Sequence, residues 1–234
     1  MRITKIGTVF QLSFMPRVFP VNCYLVEEEN ELTLIDAALP FSTKGIIDAA
    51  ERIGKPITRI VLTHAHNDHI GALDTLKELL PNAQVSISSR DSLLLAGDST
   101  LLPNEKNKPI RGGVPKNIKT KPDLLLEDGD RIGSLEVIAT PGHTPGSITL
   151  FDTRNRSLIA GDAFITRGKI VVSGLMNALF PFPALATWDK RIALESAKKL
   201  MSYQPSLLAV GHGKMLEQPG AKIEQAIAEA EKKF

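Results

Sequence analysis

Four of the six residues in His64-Ala65-His66-Asn67-Asp68-His69 carry side chains that ligate metal ions. His64 and His66 lie two apart, so in extended backbone both imidazoles leave the same face and can reach one ion. Asp68 and His69 follow once the chain turns toward a helix, which points them at a second ion close by. Packing alone is a poor explanation, because imidazoles and a carboxylate this close are costly to desolvate unless paired or metal-bound.

The remaining histidines sit in comparable places. His143 lies in Pro141-Gly142-His143-Thr144-Pro145-Gly146 and His212 in Gly211-His212-Gly213, each after an apolar run that reads as a strand. Asp162 ends the run before it in Ala160-Gly161-Asp162, and Asp36 does so in Leu34-Ile35-Asp36. Any one of these alone is more often a satisfied core, cap or turn residue. Their shared strand-end position is what groups them.

Nitrogen and oxygen donors without cysteine suit Zn2+, and would also accept Fe or Mn. Two divalent ions held this way predict metal-assisted hydrolysis, in which an activated hydroxide attacks a carbonyl carbon and Asp68 orients it. Esters, thioesters and lactones are the expected substrates, with Phe180, Phe182 and Trp188 as candidate walls of an apolar substrate pocket. A phosphodiesterase or nuclease-type hydrolase is the alternative, supported only by a basic stretch with Lys106, Lys108, Arg111, Lys116, Lys119 and Lys121. That stretch belongs to a polar segment, 98–121, read either as a solvated loop or as a cover over the site.

The elements that position these residues follow from hydrophobic period. Residues 3–12 alternate, 21–28 and 32–36 read as strands, and a helix is expected over 42–53, capped by Ser42 or Thr43. ITRIVLT (57–63) reads as a strand buried on both faces and runs into the histidine cluster. A helix carrying Leu73, Leu76, Leu79 and Leu80 comes next, then a strand at 84–88. The second half repeats this grammar: a hairpin-rich region over 124–140, strands over 148–162, a helix begun by Thr187, a strand at 207–213 and a final amphipathic helix. Strands followed by helices, twice over, predict an α+β fold: an αββα four-layer sandwich of mixed sheets with flanking helices, in one domain spanning 1–234.

Composition narrows the function classes. With 28 basic and 26 acidic residues the net charge is +2, which gives no electrostatic case for a nucleic-acid or membrane partner. No apolar run is long enough to span a bilayer. The N-terminus lacks the apolar core and cleavage site of a signal peptide, so a cytoplasmic protein acting on a small molecule is expected. Cys23 is alone in VNCYLVE and reads as a core residue.

The ordered set HxHxDH, His, Asp, His resembles the signature of the metallo-β-lactamase superfamily, over most of the chain from LTLID at 32–36 to GHG at 211–213. The resemblance implies that His64, His66 and His143 hold one metal, that Asp68, His69 and His212 hold the second, and that Asp162 bridges them. Asp36 matches the aspartate that orients ligands from behind, although Ala37-Ala38 follows it where relatives carry a pair such as Thr-Gly. True β-lactamases of the commonest class place cysteine where Asp162 stands, and acyl-homoserine lactonases carry a tyrosine where this chain has Ile165. Glyoxalase II enzymes add a glutathione-binding helical region, and only a short segment follows His212 here. A mono-iron sulfur dioxygenase on the same fold is the less favoured redox alternative.

Overall fold

The computed structural model describes residues 1–234. Seven strands form the first sheet in chain order: β1 (Arg2–Ile6), β2 (Val9–Phe14), β3 (Val21–Glu27), β4 (Leu32–Ile35), β5 (Ile57–Val61), β6 (Gln84–Ser88) and β7 (Leu124–Leu126). The first four strands pair antiparallel and β4 to β7 pair parallel. Parallel neighbours need crossovers, and α1 (Thr43–Ile53), the short α2 (Asn67–Ile70), α3 (Leu73–Leu79) and α4 (Ser89–Leu95) lie in those connections.

The rest of the chain supplies β8 (Arg131–Ile132), β9 (Leu135–Ala139), β10 (Ile148–Asp152), β11 (Ser157–Ile159), a small pair β12 (Phe164–Ile165) and β13 (Val171–Val172), β14 (Leu207–Ala209) and β15 (Leu216–Glu217). The second sheet has the order β15-β14-β11-β10-β9-β8. Helices α5 (Phe182–Ala186), α6 (Lys190–Ser202) and α7 (Gly220–Glu231) complete the chain.

Three apolar clusters separate four layers. Leu25, Leu34 and Ile60 face Ile46, Leu73 and Leu94 on the outer helices of the first half. Val26, Ile35 and Val61, one residue on in each strand, face Val137, Leu150 and Ile159 across the gap between the sheets. Leu158 and Leu208 then meet Leu194, Ala197 and Ile223 beneath α6 and α7. Strand side chains alternate faces, so a run apolar at every position can supply two cores at once. This is the αββα sandwich.

Strand direction decides where the chemistry sits. β9 and β10 are antiparallel, β10 and β11 are antiparallel, and β11 and β14 are parallel. So β9, β11 and β14 all run the same way, and their C-terminal ends share one edge. β4 and β5 run together in the other sheet. Bonds such as Tyr24 Oη to the Val210 carbonyl (2.7 Å) and Ile148 N to the Thr63 carbonyl (2.9 Å) stitch the two sheets at that edge.

The hairpin-rich region 124–140 divides between the sheets: β7 joins the first, and β8 and β9 form a hairpin that begins the second. Two expectations are corrected. Thr187 does not cap the sixth helix. Asp189 does, accepting from Arg191 N and Ile192 N, while Thr187 is extended and its hydroxyl serves the histidine site. Ser42 stands at the N-cap position of α1 as expected but makes no side-chain cap bond; its Oγ accepts from Leu39 N instead. Helix α4 was unanticipated, though Ser88 with Asp91 three residues on is a helix-start signature.

Candidate metal centre

All five histidines and both candidate aspartates of the ligand set gather at the shared edge. His64 and His66 follow β5, Asp68 and His69 lie on α2, and His143, Asp162 and His212 follow β9, β11 and β14. Three donor groups each have ligand atoms within 4.8 Å of one another: His64, His66 and His143; His64, His69 and Asp162; Asp68, His69 and His212. Asp162 lies between the outer two groups. Its Oδ2 is 3.4 Å from His143 Nε2 and 3.2 Å from His212 Nε2, and its Oδ1 is 3.5 Å from His69 Nε2.

Each ring is held from behind. His69 Nδ1 donates to Asp36 Oδ2 (2.8 Å), His212 Nδ1 to the Pro20 carbonyl (2.7 Å) and His66 Nε2 to the Arg111 carbonyl (2.9 Å). His143 Nδ1 lies 3.0 Å from Ser173 Oγ and 3.2 Å from Thr187 Oγ1, and Thr187 donates onward to the Pro183 carbonyl. His64 Nδ1 is 3.1 Å from Thr63 Oγ1, whose own proton goes to Asp36. With the outer nitrogens protonated, the inner ones face the centre, where each offers a lone pair once it carries no proton.

That arrangement asks for a cation. His66 Nδ1 and His143 Nε2 stand 3.0 Å apart, and two lone pairs at that distance repel unless something positive lies against them. His64 Nε2, His69 Nε2 and Asp162 Oδ1 are buried with no hydrogen-bond partner, and a buried polar atom left unpaired is costly. The donor set therefore fits divalent metal.

Charge follows the same division. Burial pushes the His143 imidazole down to about 3 and lowers those of His64 and His66, so this trio is neutral at pH 7. Burial also opposes charge on His69 and His212, but the carboxylates override it. Asp162 and Asp36 raise His69, and Asp162 and Asp68 raise His212 to about 10. In the metal-free protein, protons on these two rings balance the carboxylates.

Several contributors escaped the sequence reading. Asp91 on α4 is fully buried and accepts from Ala65 N (3.0 Å), Thr144 Oγ1 (2.7 Å) and Gly146 N (2.8 Å), tying the two histidine loops together. The segment 98–121 proves to be an anchored cover rather than a free loop. Its Ile110, Val114 and Ile118 pack on the first core, and Asn67 N donates to the Gly113 carbonyl (2.9 Å). Gly112, with φ of 87°, lies so near the His66 ring that any Cβ there would strike it.

The apolar wall is smaller than expected. A cleft of about 250 Å³ opens beside Phe19, His66, Asp68, Phe182, Pro183 and His212. Phe182 stands exposed at its mouth. Phe180 is buried behind, its ring 5.1 Å from that of His212. Trp188 is also buried and donates from Nε1 to the Lys108 carbonyl (2.9 Å), so it braces the cover and does not line the cleft.

Comparison with known proteins agrees with this geometry. The family model described as the metallo-beta-lactamase superfamily matches residues 16–212. The chain is 60% identical to the uncharacterized Bacillus subtilis protein YobT, over 99% of this chain and 100% of YobT. It is 34% identical to the probable metallo-hydrolase YflN of the same organism, over 82% of this chain and 80% of YflN. It is 32% identical to the human mitochondrial persulfide dioxygenase ETHE1, over 64% of this chain and 51% of that protein. Among solved structures, TTHA1623 in a di-iron-bound form superposes with a TM-score of 0.67 at 26% identity, covering 90% of this chain and 96% of that one. A family model spanning most of the chain, on a four-layer fold whose matching strand ends converge on one His/Asp cluster, makes this chain a member of the metallo-beta-lactamase superfamily.

Proposed function

We propose that this chain is a metal-dependent hydrolase acting on the carbonyl of a carboxylic ester, thioester or lactone. The observation that carries the reading is the donor arrangement. Two histidine-rich groups flank Asp162, and Asp68 stands where the cleft meets solvent, its side chain 30% exposed while the other ligand side chains are buried.

His64 Nε2, His66 Nδ1 and His143 Nε2 would hold one divalent ion, Asp68, His69 and His212 a second, and Asp162 would stand between them. Bound metal would supply Lewis acidity, making water acidic at neutral pH and polarising a carbonyl oxygen. The protein's own groups do the rest. Burial opposes ionisation of Asp68, but its hydrogen bond and charge contact with His212 hold it below the usual carboxylate range. It is therefore an acceptor at neutral pH, able to orient a water at the cleft mouth and pass its proton toward the leaving group. The small cleft suits the acyl part of a substrate, whose remaining bulk would lie along Phe182 and outside.

The test is turnover of p-nitrophenyl acyl esters, a lactone, a thioester and bis-p-nitrophenyl phosphate by protein loaded with zinc, iron or manganese. Carbonyl hydrolysis that disappears with a chelator supports the reading; dominant phosphodiesterase turnover overturns it. A phosphodiester is less favoured because Lys108, one of the basic residues of the cover, is engaged by Asp189 (2.6 Å), and no lysine lines the cleft. The similarity to ETHE1 keeps a second reading, an iron-dependent oxygenation of a persulfide. One iron per chain with thiol-dependent oxygen uptake would select it.

A further inference from the structure

The space between the sheets does not end where the second sheet ends. Along β2 and its partner β1, the face that carries Val9 into the inter-sheet core continues with Gln11 and Ser13, opposite Thr4 and Arg2. Here the face turns polar. Beyond β15 it borders a cavity of about 640 Å³, closed on the far side by the segments around Arg167 and Lys214.

We propose that this cavity is a binding site for a small, multiply charged oxyanion, distinct from the metal cleft. Three cations line it, Arg2, Arg167 and Lys214, and no carboxylate does. None of the three forms an ion pair. Arg167 spends Nη1 on the Pro16 carbonyl (3.1 Å) and Nη2 on the Arg17 carbonyl (2.7 Å). A guanidinium has five N–H donors, so three are left without a protein partner, and guanidinium donors suit carboxylate and phosphate oxygens. Three uncompensated positive charges around one concavity raise the local concentration of anions. The volume lies within the range of small-molecule sites.

The cavity is separate from the metal centre but shares a wall with it. Arg167 fixes the turn at Pro16 and Arg17, and that turn runs on to Pro20, whose carbonyl holds His212. Gly213, adjoining His212, lines the same cavity and accepts from Gln11 Nε2 (3.0 Å).

The ligand chemistry has two sources, a phosphate monoester or a dicarboxylate, and the test uses one probe of each. Ribose 5-phosphate and succinate are titrated by calorimetry into the metal-loaded protein and into R2E/K214E. Both replaced side chains are exposed and make no structural bond. K214Q is the milder variant should the double one fold poorly, with thermal melting as the check on folding. Binding of either probe in the micromolar to low millimolar range, weakened by salt and at least tenfold weaker in the variants, is the expected result. The probe that binds identifies the source. Failure of both probes to bind, or equal affinity in wild type and variants, overturns the proposal; equal affinity would place the anion in the metal cleft. Hydrolysis is not the readout, so failure here leaves the proposed function standing.

Discussion

Asp36 and His69 lie 33 residues apart, yet Asp36 Oδ2 accepts from His69 Nδ1 at 2.8 Å while its Oδ1 accepts from Thr63 N at 2.7 Å. One carboxylate thus sets both the tautomer of a ligand histidine and the end of the strand that delivers the ligand cluster. Asp36 has φ of 62°, a conformation that asparagine tolerates as well as aspartate. D36N therefore tests the charge without straining the backbone. Metal affinity in a competitive chelator titration should fall about 10- to 100-fold; an unchanged affinity would show that His69 is oriented by packing alone.

Asp91 touches no candidate ligand side chain through its hydrogen bonds, yet three donors from two histidine loops converge on it. D91A strands buried donors and should cost about 2 to 3 kcal/mol of folding stability in urea. It should also loosen the His143 loop, so metal content should drop with it. Retention of full stability would mean that water replaces the carboxylate.

Gly112 carries the cover against His66 in a left-handed conformation. G112A adds a methyl group aimed at the His66 ring, besides a conformational cost of about 1 kcal/mol. The segment is irregular and local, so the melting temperature of the metal-free protein should move little. Metal content or hydrolysis should fall tenfold or more. Wild-type values for both would show that the cover swings away without consequence.

Metal uptake should release protons. Burial works against charge on His69 and His212, but Asp162 and its neighbours raise both, His212 to about 10. For the metal-free protein, this raised value adds stability that is fully present below the ordinary histidine value of 6.5 and is lost as pH rises through about 10. A metal needs those nitrogens bare, so its apparent affinity should climb between pH 7 and 10. A weakly buffered titration with an indicator dye measures the released protons. No release at pH 7.5 would contradict protonated His69 and His212.

Chelation should lower the melting temperature, and zinc, iron or manganese should restore it, because a ligand bound only by the folded state stabilises that state. A melting curve insensitive to chelator and metal alike would remove the metal centre from the account.

The residue types alone marked seven donors at the ends of apolar runs, and the unbroken apolar strands already implied sheets covered on both faces. Side-chain chemistry and a period of two are local properties, readable one residue at a time. What holds the donors was hidden. The carbonyls of Arg111 and Pro20 steady His66 and His212, but every residue has a carbonyl, so only the folded path of the chain selects those two. Nothing in the sequence singled out Asp91, whose role exists only because α4 brings its carboxylate to both histidine loops. Phe180, Phe182 and Trp188 were alike as apolar residues, and only packing sent one to the mouth of the cleft, one behind His212 and one beneath the cover. Ligand identity was legible because it is covalent; ligand orientation was decided by tertiary contacts, since hydrogen bonds between distant segments exist only once the layers close.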